Sequence, residues 1–159
     1  MTGRILQESD GFIWPTPGYT YITSNFGYRK APTGGASTYH GGIDIGAKEG
    51  SRILAIASGI VIKASWGGAN GYCVMINHQN GFISTYAHVN PNFVVSVGDK
   101  VYQGQYIANV GPKYVKETSY TTYKDSSGKA TNGATTGPHL HLAISKDGKK
   151  VNPLLYIPQ

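Results

Sequence analysis

The chain has 159 residues, a single cysteine and a formal net charge of +6, from 14 Lys and Arg against eight Asp and Glu. That length suits one domain with a real hydrophobic core, and one thiol excludes an intrachain disulfide. No apolar run approaches the roughly 18–20 residues a membrane-crossing helix needs, so no membrane span is expected.

Residues 1–11 read as a loose tail: the first ten carry one Arg and lack the apolar stretch of a secretory signal. Residues 12–159 contain no linker and no internal repeat, which predicts a single domain. Residues 30–39 are rich in Gly, Ser and Thr and lead straight into His40-Gly41-Gly42-Ile43-Asp44. A glycine pair is unfavourable in a helix, so this segment predicts a loop entering a strand. Short runs rich in Val, Ile and Tyr follow at residues 53–62, 72–77, 82–87, 106–110 and 140–145. Turn signals such as Gly67-Gly68, Gly98-Asp99 and Asp147-Gly148 punctuate the chain, and no stretch sustains a 3.6-residue apolar period. The pattern predicts an all-β domain.

Asn80-Gly81, between two apolar runs, predicts a type I′ hairpin turn, and His78 just before it reads as a surface residue. Cys73, inside an apolar run, reads as a small buried hydrophobe. Residues 113–136 form a long polar stretch holding Tyr114, Tyr120 and Tyr123. Loops of that length are often functional, and the tyrosines are expected to supply contact area in the wall of a groove. The basic residues are scattered apart from Lys146, Lys149 and Lys150, a cluster that also holds Asp147, which argues against a nucleic-acid surface.

Chemistry concentrates in the histidines, of which there are five. His40 and Asp44 flank a flexible backbone that lets both side chains turn onto one ion. His139 and His141 open a strand-like run, and residues i and i+2 of a strand face the same side. His88 follows the run ending at Ala87. Imidazole nitrogen and carboxylate oxygen suit Zn²⁺, and three protein ligands leave a fourth position for water, with spare histidines for proton transfer. No His-Glu-x-x-His helix is present. A glycosidase is disfavoured because, with eight acidic residues, a facing carboxylate pair is hard to nominate.

Five ordered blocks between Ile22 and Pro153 carry a resemblance. They are Thr23-Ser24-Asn25-Phe26-Gly27-Tyr28-Arg29, His40-Gly41-Gly42-Ile43-Asp44-Ile45, Ser84-Thr85-Tyr86-Ala87-His88-Val89, Val97-Gly98-Asp99-Lys100-Val101 with Gly104-Gln105, and Thr136-Gly137-Pro138-His139-Leu140-His141. Together they resemble the lysostaphin and LytM type of zinc endopeptidases, which cleave the peptide part of bacterial peptidoglycan. The resemblance implies a small antiparallel sheet of barrel-sandwich-hybrid type with long loops bordering a groove. It also implies one Zn²⁺ held by His40, Asp44 and His141, and His88 and His139 as the unliganded catalytic pair, with the general base among them left open. Arg29 would close the groove or brace a loop, and Tyr86 would orient His88 or serve as a core aromatic. A monomer acting on peptidoglycan is expected, outside the cell, at the cell wall or phage-associated, either alone or as one domain of a larger protein. The alternative is a catalytically inactive scaffold of the same fold. Two departures stand out. Leu142-Ala143 follows His141 where Phe or Tyr and then Glu is usual, and residues 113–136 exceed the usual connection by about twenty.

Overall fold

The structure, a computed structural model, describes residues 11–28 and 39–158. Its strands in chain order are β1 (Ile22–Ser24), β2 (Gly27–Tyr28), β3 (Tyr39–His40), β4 (Ile43–Gly46), β5 (Arg52–Leu54) and β6 (Gly59–Trp66), followed by β7 (Tyr72–Asn77), β8 (Phe82–Ala87), β9 (Lys100–Val101), β10 (Tyr106–Asn109), β11 (His139–Lys146) and β12 (Lys149–Val151). One antiparallel sheet runs β1-β4-β11-β8-β7-β6-β9, with β12 added to the C-terminal half of β11. Two small pairs, β10-β5 and β2-β3, complete the all-β architecture.

Strand β11 is the hinge of the design. Its outer edge is shared, with His139–Leu142 pairing to β4 and Ile144–Lys146 to β12, while β8 occupies its other edge. Alternation sorts its side chains: Leu140, Leu142 and Ile144 are fully buried, and His139 and His141 take the opposite face. The apolar side of β11 joins Ile43, Ile45, Val74, Ile76 and Tyr86 of the main sheet and Ile53 and Ile107 of the small pair in one core cluster. Each such aliphatic side chain contributes about 1.5–3 kcal/mol through burial.

The run at residues 53–62 is not one strand. It belongs to β5, a buried crossing through Ala55, Ile56 and Ala57, and then β6, which extends on to Trp66. Apolar content is continuous because the crossing is as buried as the inward faces of the two strands, so periodicity could not separate them. β6 opens at Gly59, where a Cβ would stand 2.4 Å from the Asn77 carbonyl oxygen.

The β7–β8 hairpin forms, but not through a type I′ turn at Asn80-Gly81. His78 N donates to Phe82 O, and the positive φ values fall on Gln79 and Gly81, with Asn80 between them. The wider turn docks against the β11–β12 turn, Asp147 N donating to Gly81 O at 2.8 Å. His78 is a second correction, being fully buried rather than a surface residue. Its Nδ1 donates to Ser58 O at 2.7 Å and its Nε2 lies 2.9 Å from Ser84 Oγ. Burial draws its pKa down, favouring the neutral ring. Cys73 is buried as expected, and desolvation pushes its thiol up to about 11.

Candidate active site

Strand register brings the chemistry together. In the β4–β11 ladder Asp44 stands directly opposite His141, and His139 lies two residues up the same face. In the β11–β8 ladder His141 faces Ala87, so the next residue, His88, arrives at the same end of the sheet. β3 delivers His40 through its pairing with Gly27. The glycine pair between His40 and Asp44 has a steric reason. A Cβ on Gly42 would sit 2.3 Å from Leu142 O, so only glycine lets β4 meet β11 this closely.

Three donor atoms form a tight triangle. His40 Nε2 lies 3.0 Å from His141 Nδ1 and 3.2 Å from Asp44 Oδ1, and His141 Nδ1 lies 2.9 Å from Asp44 Oδ1. His40 Nδ1 donates to Asn25 O at 2.9 Å; a carbonyl can only accept, so Nε2 carries the lone pair. Burial pushes the Asp44 pKa up, but the imidazoles of His139, His141 and His40 packed around it outweigh this and hold the carboxyl well below its usual range. An ionised oxygen and a lone-pair nitrogen thus face each other, which calls for a cation. Tetrahedral zinc with ligand distances of about 2.0–2.1 Å has ligand–ligand edges of about 3.3 Å, close to these spacings. Among the described residues, this set alone groups three such donors.

Two more imidazoles border the triangle. His139 Nδ1 donates to Gly137 O at 2.8 Å, leaving Nε2 as acceptor 3.5 Å from Asp44 Oδ1. His88 Nδ1 donates to Asn132 O at 2.6 Å, and its ring lies 5.0 Å from that of His139 and 6.1 Å from that of His141. His88 adopts φ +60°, left-handed backbone that a non-glycine residue holds only when its surroundings enforce it. Three contacts enforce it: the ring bond to Asn132, His88 N to Asn70 O at 2.8 Å, and Gly111 N to His88 O at 3.0 Å. Burial, aided by positive charge at His139 and His141, lowers the His88 pKa to about 3. Burial likewise lowers that of His141 despite Asp44 beside it. His88 and His141 are therefore held in the neutral form close to the Asp44 carboxylate.

The triangle opens into a groove of about 720 Å³. Ala134 and Thr136, at the end of the long loop, and Gly137 and Pro138 after it line one side. The loop's tyrosines do not. Tyr114 lies between the ammonium groups of Lys113 and Lys129 with its hydroxyl on Asp125, and Tyr120 packs on Trp66 with its hydroxyl 3.3 Å from that of Tyr72. Tyr123 is half-buried, its carbonyl accepting from Thr131 N. The loop folds back on itself through bridges at Tyr114–Thr131 and Lys124–Ala130, and Tyr120 ties it to β6 and β7. Tyr86 is likewise no groove residue: it is fully buried, with Oη accepting from Ile56 N and lying 2.8 Å from Ser84 Oγ. Arg29 lies outside the described residues.

Two residues here were not singled out as site residues from the sequence. Asn132 holds His88 through its carbonyl, and Lys150 lines the groove. Neither carries a local motif; the first lay in a polar loop and the second in a basic cluster near the end.

The sequence pattern of peptidase family M23 matches residues 38–153, and the chain belongs to that family. It is 36% identical over 152 residues to the DD-carboxypeptidase/endopeptidase Mpg of Neisseria meningitidis serogroup B, covering 96% of this chain and 30% of that protein. It is 34% identical over 148 residues to the murein hydrolase activator NlpD of Escherichia coli, covering 92% of this chain and 31% of that protein. The chain therefore spans about a third of these relatives' length. Among solved structures, a zinc-containing peptidase from Vibrio cholerae superposes with a TM-score of 0.70 at 27% identity, covering 89% of this chain and 39% of that one. Family membership bears out the lysostaphin and LytM resemblance and the all-β fold.

Proposed function

We propose that the chain is a zinc-dependent endopeptidase that hydrolyses peptide bonds in bacterial peptidoglycan, in the stem peptide or the cross-bridge. His40, Asp44 and His141 would hold the ion, with His88 and His139 beside it as the catalytic pair. The triangle of donor atoms with edges of 2.9–3.2 Å carries this reading, because it gathers a carboxylate oxygen and two imidazole nitrogens at the mutual spacing of ligands to one ion. Zinc bound there supplies Lewis acidity, polarising a carbonyl and lowering the pKa of water.

The chain's own residues supply the proton handling. His88 and His139 each spend Nδ1 on a backbone carbonyl, which fixes the ring and leaves Nε2 as the basic atom. Burial keeps His88 neutral, so its Nε2 lone pair is unprotonated at neutral pH. The pair receives the proton that attacking water gives up and returns it to the departing amine. Once protonated, either ring offers an N–H to the oxyanion developing on the substrate. Likeness to the peptidoglycan DD-endopeptidase ShyC of Vibrio cholerae and to the murein hydrolase activator supports the substrate class and a periplasmic or cell-wall setting. No helix of the described residues is long and apolar enough to cross a membrane.

Likeness to a murein hydrolase activator makes a non-hydrolytic scaffold the rival reading. Metal analysis paired with mass-spectrometric digestion of purified peptidoglycan separates the two. The peptidase contains about one zinc per chain and releases peptide fragments, whereas the scaffold does neither. His88→Ala should keep zinc and lose digestion, and His141→Ala should lose both. Full wall digestion by His141→Ala overturns the proposal.

A further inference from the structure

Apart from Asp44 and the histidines around it, Lys150 is the sole ionisable side chain with a charge at neutral pH among the described residues lining the groove. It lies on β12, opposite Ser145 of β11. Its stem runs over Gly41, next in the chain to His40: a Cβ built on Gly41 would meet Lys150 Cγ at 3.5 Å, Cδ at 3.8 Å and Cε at 4.0 Å. Glycine at this position thus leaves a track for the lysine stem along the floor of the groove.

The ammonium has no carboxylate of its own. Among the described residues the ion pairs engage Asp44 and Glu117, and Lys150 is in none of them. Asp147, the acid closest in sequence, faces the other hairpin turn, where its Oδ1 stands 2.4 Å from a Cβ built on Gly81. Burial disfavours the charged form of Lys150, a penalty that a bound anion relieves. The groove therefore combines a partly desolvated, unpaired cation with a position beside the metal triangle.

Peptidoglycan peptides carry carboxylates outside their peptide bonds: the C-terminal D-alanine, the α-carboxylate of a γ-linked D-glutamate, and the second carboxylate of a diamino diacid. We propose that Lys150 is a specificity-determining residue, binding a free carboxylate of the peptide substrate at the Gly41 side of the groove and favouring that substrate over its amide. This rests on the peptidase reading above and deepens it by naming the substrate feature that is recognised.

The test uses the zinc-loaded full chain and cross-linked peptides that differ only in carboxylate or carboxamide at one of those three positions. Wild type should cleave the carboxylate form about tenfold more efficiently in kcat/KM at one position, expressed in KM, and be indifferent at the other two. Lys150→Met, which keeps an unbranched stem over Gly41, should bring that ratio to about one, and Lys150→Arg should retain most of it. An unchanged ratio in Lys150→Met, or no preference in wild type at any position, overturns the inference. A second arm measures equilibrium binding of the same peptides to the His88→Ala protein, with and without Lys150→Met. If wild type cleaves none of the peptides, the peptidase reading fails, and this arm alone decides: a carboxylate preference lost with Lys150 sustains the inference, and its absence ends it.

Discussion

Asn132→Ala probes how the long loop supports the site. Asn132 is fully buried, and its side chain makes three bonds: Oδ1 accepts from Tyr72 N at 2.8 Å, and Nδ2 donates to Val89 O at 3.0 Å and Pro112 O at 3.3 Å. Truncation strands one donor and two acceptors in a site packed too closely for replacements. Gly71 and Gly133 abut this segment, each with a Cβ position 2.3 Å from neighbouring backbone. At about 1 kcal/mol for each buried group left unpaired, the cost is about 3 kcal/mol. A domain of this size loses about 2–4 °C per kcal/mol, so Tm should fall by about 6–12 °C. The same residue's carbonyl anchors His88 Nδ1, so loosening it should also lower kcat for peptidoglycan digestion by about tenfold with zinc content unchanged. Asn132→Asp, which keeps the acceptor and loses the donors, should fall between. Calorimetry and fragment release measure the two effects. A Tm within about 2 °C of wild type, or a full loss of Tm with undiminished kcat, refutes the idea that this side chain holds His88 in place.

Four further outcomes follow from described contacts. Gly42→Ala forces a methyl against Leu142 O and should disrupt the β4–β11 ladder, so zinc content per folded chain drops; a variant with normal zinc and Tm contradicts the steric argument. Chelation should abolish digestion and lower Tm, and Zn²⁺ rather than Mg²⁺ should restore both, since nitrogen ligands favour the former. Cys73, with its thiol pKa near 11, should hold only about 0.1% thiolate at pH 8 and resist alkylation in the native protein, reacting once guanidinium unfolds it; intact mass reads this. Tyr86→Phe should cost about 1–2 kcal/mol, since Ile56 N loses its partner, and leave KM unchanged; a raised KM with an intact fold would return Tyr86 to the groove.

Legibility in the sequence followed the physics of each residue. Tyr72–Asn77 and Phe82–Ala87 were readable because a hairpin packed on one core carries dense β-branched and aromatic content between turns. The alternation His139-Leu140-His141-Leu142 announced a strand with two unlike faces, and the structure gives it those faces. Convergence of His40 and Asp44 on His141 was not readable from spacing, since it depends on the pairing of strands 97 residues apart; family resemblance supplied the grouping. His78 was misread because its polarity suggested solvent, whereas two hydrogen bonds satisfy it inside. The tyrosines of residues 113–136 were misassigned because composition cannot tell a ring that faces a cleft from one that packs against lysine ammonium groups or a neighbouring strand. Asn132 and Lys150 gain their importance from tertiary neighbours alone.

The facing of Asp44 and His141 across β4 and β11 turns the centre into a gauge of strand alignment. Side chains alternate between faces with period two, so sliding either strand by one position would bring Ile43 or Ile45 beside His141 and send the carboxylate among the leucines. Misaligned chains thus lose the centre and strand a charge in oil at one stroke. Stoichiometric metal in a purified sample would accordingly certify, before any activity is assayed, that this pair of strands has docked in the correct alignment.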